Sequence, residues 1–339
     1  MSLNIAPTNF FTTLPHAPKR QPQENLQVYV KSAQIPKPKY RRGHPLIPRG
    51  RNRIMPPGGF LLPIYPNRCC LLREMGVFKP DAIAQKVKTF IQDNIPSQPV
   101  TTDIACDKFL RSSKDFYLPA PGFVSSVEPL PLVKNAVELA QATLQVLKTA
   151  ERVVNLVWSA GQDHVFAPQT PLLPVEGNTP FCLPLFYAKI KETDEAELYR
   201  ARMKIVIILM TPWALSRADM HDMLMLKRLP SIKSNGSWPR WNRAHKVWAQ
   251  IEEYCRSHGS SFFVLTTYEH WIFGSFHPDS YSQLVSTNII SYTDSRPFIL
   301  EWLIFWCASA LQVPGSWNAK TNDLEMGYLE EFYPKIMIC

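Results

Sequence analysis

The feature of this sequence that most limits its fold is the uneven distribution of proline and charge. Residues 1–68 hold 12 of the 31 prolines and eleven Lys and Arg residues against one acid, Glu24, so their net charge is +10. Because the whole chain carries +9, residues 69–339 carry +9 minus +10, or −1. Prolines interrupt helices and sheets, and few long apolar runs are present here to offset the entropy of ordering. The sequence therefore predicts a disordered basic arm over residues 1–68, followed by a nearly neutral folded part.

The chain as a whole has enough apolar residues for a globular protein. Of its 339 residues 45% are hydrophobic, which is enough to bury a sizeable core. The seven cysteines are widely spread without a Cys-x-x-Cys pair, which favours reduced structural thiols. The N-terminus lacks the apolar run of a secretory signal, and the two most apolar windows do not have the length or the freedom from charge of a membrane span. We expect a soluble protein of the cytosol or nucleus, with no membrane association.

Periodicity along the chain predicts an α/β fold, with α+β as the alternative. Residues 205–210 fit either a buried helix or a strand. Acids followed by bases over 192–204 favour a further helix. Together these patterns predict a small mixed sheet with flanking helices. Apolar repeats predict helices over 80–95, 132–159, 216–228, 241–258 and 297–312, and alternation predicts strands over 185–191, 261–267, 269–276 and 281–289.

Local signals mark several element ends. Ser216 with Asp219 three residues later is typical of a capped helix start, and Asp294 is predicted to cap the last helix. Gly259 stands where a helix commonly ends, and Gly274 is predicted to separate strand segments. The predicted division of the chain is the basic arm, a helical segment over 69–160, an α/β domain over 161–313 and a tail over 314–339.

Within the basic arm, one cluster of charge has the composition of a phosphate-contacting segment. Segments of this kind contact nucleic-acid phosphates or dock to an import receptor. A solvated tail without a partner is the third interpretation. Tyr40 and His44 lie among the charged residues. The basic cluster consists of Lys37, Lys39, Arg41, Arg42, Arg49, Arg51 and Arg53.

The sequence lacks the motifs of several common metal sites and enzyme classes. Asp219, His221 and Asp222 are close in sequence, but on a helix His221 points away from the face that the two acids share. No Gly-x-Ser-x-Gly motif or Gly-rich phosphate loop occurs, which argues against an acyl hydrolase or a nucleoside triphosphatase. The His-Arg-Asp and Asp-Phe-Gly motifs of protein kinases are also missing. The sequence does not predict a kinase.

A succession of short motifs in the second half of the chain points to one family. Strand 185–191 is followed later by a helix with Gln250 and Tyr254, then by the apolar run 262–267 and by Trp271-Ile272-Phe273. This order resembles the restriction-endonuclease-like region found in mushroom-forming fungi, with or without a fungal-type protein kinase domain. The resemblance covers about residues 174–311, and it implies a nuclease-like α/β domain.

The resemblance also implies a Mg²⁺ site made of an upstream acid and a Glu-x-Lys pair on a strand. Lys191 matches the lysine of that pair, and Asp163 or Glu176 would be the upstream acid. Lys189 stands where the second carboxylate belongs, and Glu192 faces the opposite side of the strand from Lys191. A cation cannot replace an oxygen ligand of Mg²⁺.

The leading hypothesis is therefore a non-catalytic nuclease-like binding module in the nucleus or cytosol, without a cofactor. Nucleic acid or an import receptor is its expected partner, through the basic cluster. One alternative is a Mg²⁺-dependent nuclease that uses Asp163 or Glu176 together with Lys191. The other is a protein–protein interaction protein with no role at nucleic acid.

Overall fold

A central mixed β-sheet organises the fold in the computed structural model. The sheet has helices against both of its faces, which confirms the predicted α/β class with a mixed sheet and flanking helices. The structure describes residues 24–35, 37–40, 72–97, 99–102, 117–118, 132–133, 136–161, 164–168, 182–189, 203–230, 242–278, 280–319 and 326–327.

The described residues form fourteen strands, six α-helices and one 3₁₀ turn, Ser159–Gly161. The strands are β1 (Glu24–Asn25), β2 (Lys39–Tyr40), β3 (Glu74–Phe78), β4 (Pro99–Thr102), β5 (Tyr117–Leu118), β6 (Leu132–Val133), β7 (His164–Pro168), β8 (Cys182–Lys189), β9 (Met203–Met210), β10 (Phe262–Thr266), β11 (His270–His277), β12 (Ser280–Ser286), β13 (Ile290–Ser291) and β14 (Met326–Gly327). The helices are α1 (Leu26–Ser32), α2 (Pro80–Asn94), α3 (Ala136–Val157), α4 (Arg217–Leu224), α5 (Arg243–Ser257) and α6 (Ile299–Ala310).

Nine of these strands form the central sheet. Their order is β14-β3-β12-β11-β10-β9-β8-β7, and β13 pairs with β11 beside this path. The pairs β9–β10 and β12–β3 are parallel, and the other neighbours are antiparallel. Parallel neighbours need a long crossover, and α4 and α5 supply it between β9 and β10. The sheet is larger than predicted, because β3 and β7 join it from segments for which the sequence predicts no strand.

Strand β9 shows how the sheet separates two hydrophobic cores. Successive side chains of a strand point to opposite faces. Ile205, Ile207 and Leu209 lie in the first core, with buried residues of α1, α2, α3 and α6. Val206 and Ile208 lie in the second core, with buried residues of α4 and α5. All five side chains are buried, which explains why periodicity alone does not distinguish a strand from a helix here.

The predicted helices with strong periodicity are confirmed as α2 to α6, and strand 185–191 is observed as β8. The three strand segments after α5 form the antiparallel sequence β10-β11-β12, as predicted. Ser216 and Asp219 form the predicted capping box, and Gly259 follows α5 with a positive φ of 63°. The helix predicted over 192–204 lies outside the described residues except for its last two positions, which begin β9.

Two local predictions are wrong. Asp294 does not cap α6: the N-cap is Phe298, and the Asp294 carboxylate accepts a hydrogen bond from the Ser291 amide at 2.7 Å. Gly274 does not end a strand segment but lies inside β11, opposite Phe263 of β10. A Cβ atom at position 274 would lie 2.1 Å from the Phe263 ring, so the glycine makes room for a buried aromatic side chain.

The predicted division of the chain is not visible as a break in the hydrophobic cores. Helices α2 and α3 come from the predicted helical segment, yet they pack against α6. Residues 24–35 of the basic arm contain α1, which is also part of the first core. Most of the basic arm lies outside the described residues. None of the helices that the structure describes combines the length and the apolar character of a membrane span.

Candidate functional site

Helix α1 attaches the basic arm to the folded domain. The Asn25 side chain caps its first turn, where the Gln27 amide donates to Asn25 Oδ1 at 2.9 Å. Leu26, Tyr29 and Val30 are fully buried in the first core, and α1 contacts α6. A helix of seven residues is unstable in isolation, so this packing must stabilise it. The prediction that residues 1–68 are disordered therefore does not hold for α1, because its apolar face is buried by α6.

A second set of contacts joins α1 to the end of α2. Gln27 Nε2 donates to the carbonyl oxygens of Gln92 and Ile95, at 2.8 Å and 3.0 Å. The last carbonyls of a helix have no partner within the helix, and Gln27 supplies one from outside. Lys31 Nζ donates to Gln92 Oε1. These bonds fix the position of α1 relative to α2.

The basic cluster begins where the chain leaves this anchor. Lys37 is exposed and Pro38 is buried. Lys39 and Tyr40 form β2, which pairs in parallel with Leu132 and Val133 of β6. The backbone of Lys39 and Tyr40 is thus held by strand pairing. The other residues of the basic cluster lie outside the described residues: Arg41, Arg42, Arg49, Arg51 and Arg53.

The structure locates only part of the strand to which the resemblance assigns a metal site. Lys189 is the last residue of β8, is exposed, and is the Cα partner of His164 on β7. Asp163, Glu176 and Lys191 lie outside the described residues, so their mutual geometry is not described. Within the described ranges, no three His, Cys, Asp or Glu side chains are grouped so that they would hold a metal ion.

The motif residues that carry the resemblance lie in the hydrophobic cores. Tyr254 of α5 belongs to the second core, and Gln250 on the same helix is also buried. Trp271 and Phe273 belong to the first core. In chain order, strand β9 follows β8 and precedes the two helices of the crossover, so β8 is not followed directly by the helix that carries Gln250 and Tyr254. In this structure these residues are part of the buried interior.

A buried polar cluster that the sequence does not predict lies beside β7 and β8. Glu151 Oε2 of α3 accepts hydrogen bonds from the Phe166 amide at 2.5 Å and from Lys148 Nζ at 2.8 Å. Burial raises the pKa of the Glu151 carboxyl group, although Lys148 and the Phe166 amide act in the opposite direction. Burial also raises the pKa values of Tyr187 and Cys307, to which the Glu151 charge contributes.

This cluster closes one edge of the sheet. β7 is the last strand in the order, and open strand edges are sites of unwanted pairing. Glu151 accepts the Phe166 amide, Asn155 Nδ2 donates to the His164 carbonyl at 3.1 Å, and Pro168 has no amide hydrogen. At this edge the Phe166 amide and the His164 carbonyl are therefore bound, and Pro168 offers no donor. The only sequence sign is the Lys148–Glu151 spacing, which is common on helix surfaces.

Comparison of the chain with protein-family models, with curated proteins and with solved structures gives no match in any of the three. The fold and the site define an α/β domain in which the first residues of the basic cluster follow a helix that packs into the core. The resemblance to the restriction-endonuclease-like family remains a hypothesis based on the sequence motifs.

Proposed function

We propose that the protein is a non-catalytic nuclease-like binding module of the nucleus or cytosol that contacts nucleic acid through its basic cluster. The anchoring of the cluster carries this proposal: Lys37 is exposed, and Lys39 lies on β2, which pairs with β6. A charged segment that starts from a fixed point loses less conformational entropy on binding than a free tail. The net charge of +10 over residues 1–68 supplies the attraction to phosphates.

The anchor favours nucleic acid over an import receptor as the partner. A receptor that binds a basic peptide in an extended conformation needs access to the peptide backbone. The backbone of Lys39 and Tyr40 is already paired with β6, and Pro38 is buried. Phosphate contact, in contrast, needs only the charged ends of the side chains.

We expect the protein to bind nucleic acid without cleaving it, and the reason is the position of Lys189. If the resemblance holds, this exposed residue at the end of β8 occupies the position of the second metal-binding carboxylate. An ammonium group there would repel Mg²⁺ and would supply no oxygen ligand.

A salt-dependent titration against DNA and RNA tests the proposed function. The full chain is compared with a variant in which Arg41, Arg42, Arg49, Arg51 and Arg53 are replaced by Ala. We expect log K to fall with log salt, and the slope to decrease by about 0.9 for each phosphate contact that the variant loses. Replacement of the exposed Lys227 and Arg228 by Gln, next to the second core, is the control and should leave the slope unchanged.

The rival functions give different results in the same samples. Absence of salt-dependent binding to DNA and RNA would leave the interaction protein as the better hypothesis. Cleavage in the presence of Mg²⁺ that is lost in Lys191→Ala would establish the nuclease and contradict the non-catalytic module.

A further inference from the structure

Lysines also lie on α1, which precedes the basic cluster in the chain, and on α2, to which α1 is hydrogen-bonded. Lys31 of α1 is partly exposed, and its ammonium group donates to Gln92 Oε1 of α2. Lys88 is four residues before Gln92, so both lie on the same side of α2. Lys37 follows α1 and is exposed. Lys31 and Lys88 are thus carried by two helices that are hydrogen-bonded to each other, and Lys37 follows α1 in the chain.

The acids of α2 are placed where they offset this charge only weakly. Asp93 follows Gln92 but projects about 100° further round the helix, because an α-helix has about 3.6 residues per turn. Asp81 is on the side of Lys88 but two turns away, about 10 Å along the axis. This distance is close to the Debye length at physiological salt, so its effect is largely screened.

We infer that Lys31 and Lys88, together with Lys37 of the basic cluster, form a phosphate-contact surface that extends the cluster onto the folded helices, and that the partner is a nucleic-acid duplex. We call these three residues the lysine patch. The inference rests on the proposed function and adds a folded contact surface to it.

The rigidity of the patch favours a duplex. A duplex presents phosphates at a regular spacing, which suits charges held on packed helices. Single strands are usually bound by stacking of their bases on aromatic side chains. Among the side chains whose exposure the structure describes, the one large hydrophobic residue that is mostly exposed is Val28, which is aliphatic, whereas Trp158, Trp213, Tyr281 and Tyr292 are partly buried. None of these aromatic rings is open to solvent to the extent that Val28 is.

The test is a fluorescence anisotropy titration of the full chain with a 30-base-pair DNA duplex and with one of its strands, over a range of salt concentrations. The patch variant carries Lys31→Gln and Lys88→Gln. Its control carries Lys86→Gln, on the opposite flank of α2, and Lys227→Gln, so that the same number of charges is removed elsewhere. We expect the patch variant to lower the slope of log K against log salt for the duplex by about 1.8, and the control to leave it unchanged.

The other possible results contradict either the lysine patch, the proposed function or the assignment to a duplex. If the patch variant keeps the wild-type slope while the five-arginine variant loses part of it, the patch is wrong and the proposed function stands. If the wild-type chain shows no salt-dependent binding, the proposed function fails together with the patch. Equal losses in the patch variant and its control would show an effect of net charge alone. Equal losses on the single strand would contradict the assignment to a duplex. Lys88→Gln alone, expected to lower the slope by about 0.9, keeps the test valid if loss of the Lys31–Gln92 bond unfolds α1.

Discussion

At the scale of single residues, Glu151 shows a competition between burial and local partners. Its carboxylate accepts hydrogen bonds from Lys148 and from the Phe166 amide, both of which favour the charged form. Tyr187 and Cys307, which lie close enough for their ionisation to be affected by its charge, are themselves buried. Burial outweighs the two partners, because the pKa of the carboxyl group is raised above its usual value of 4.5.

The raised pKa of Glu151 predicts a defined pH dependence of stability. Because the folded state favours the protonated form, the stability contributed by this group is fully present below pH 4.5 and is lost as pH rises through the folded pKa. Glu151→Gln should therefore reduce the loss of unfolding free energy with rising pH. Urea denaturation of the wild type and of Glu151→Gln between about pH 4 and pH 8 measures this difference.

Glu138→Gln is the matched control, because Glu138 lies on the same helix and is partly exposed. The free energy of unfolding of Glu151→Gln minus that of the wild type should increase as pH rises. A value of this difference that stays constant over the whole pH range, or that decreases as pH rises, would contradict the raised pKa.

The residues that the sequence predicts correctly at this scale act over short distances in the chain. Ser216 and Asp219 form a capping box three residues apart, so their pairing is visible as a motif. Glu151 and the Phe166 amide are 15 residues apart, on a helix and an edge strand. Their contact depends on how α3 packs beside β7, and local sequence patterns do not contain that information.

At the scale of elements, the β10–β11 pair depends on one glycine. Phe263 is fully buried, with its ring centroid 5.7 Å from that of Trp248, and Gly274 is its direct cross-strand partner. A side chain at position 274 would therefore clash with the Phe263 ring, which already packs against Trp248. The sequence alone presents Gly274 as a strand breaker, because the ring that needs its space is 11 positions earlier.

Gly274→Ala should destabilise the protein by roughly 1–3 kcal/mol or more, because the new Cβ would lie 2.1 Å from the Phe263 ring. The free energy of unfolding from urea denaturation measures this cost. Combining Gly274→Ala with Phe263→Leu should cost less than the sum of the single changes, since the shorter side chain leaves room.

Gly76→Ala in β3 is the control, because a Cβ there would meet its nearest atom, the Gly327 carbonyl oxygen, at 3.4 Å. Strict additivity of Gly274→Ala and Phe263→Leu would show that the proposed steric conflict is not the cause of any loss.

Element identity was predictable where periodicity and turn signals agree, as for α2, α3, α5 and the three strands after α5. For residues 205–210 the sequence does not distinguish a helix from a strand, because the side chains of β9 are buried on both faces of the sheet. β9 pairs in parallel with β10, which is far from it in the chain, and this parallel pairing requires the crossover through α4 and α5.

At the scale of the whole molecule, charge and proline content predicted where the basic arm differs from the folded part, but not that the arm contributes to the core. Only seven residues form α1, and its side chains Leu26, Tyr29 and Val30 are buried in the first core, which α6 shares. Composition averaged over 68 residues conceals so short an element. The anchoring of the basic cluster, on which the proposed function depends, is therefore visible only in the structure.

Two identical substitutions on α1 test whether the basic arm is integral to the fold. Val30 is fully buried in the first core, whereas Val28 is 54% exposed. If α1 folds together with the domain, Val30→Ala should lower the free energy of unfolding by about 1–3 kcal/mol, through lost burial and a small cavity. Val28→Ala should change it by less than about 0.5 kcal/mol. Both are measured by urea denaturation, followed by the fluorescence of the tryptophans, such as Trp306, that lie in the cores. Equal and negligible effects of both would mean that α1 does not unfold together with the domain, and would remove the anchor from which the basic cluster is proposed to act.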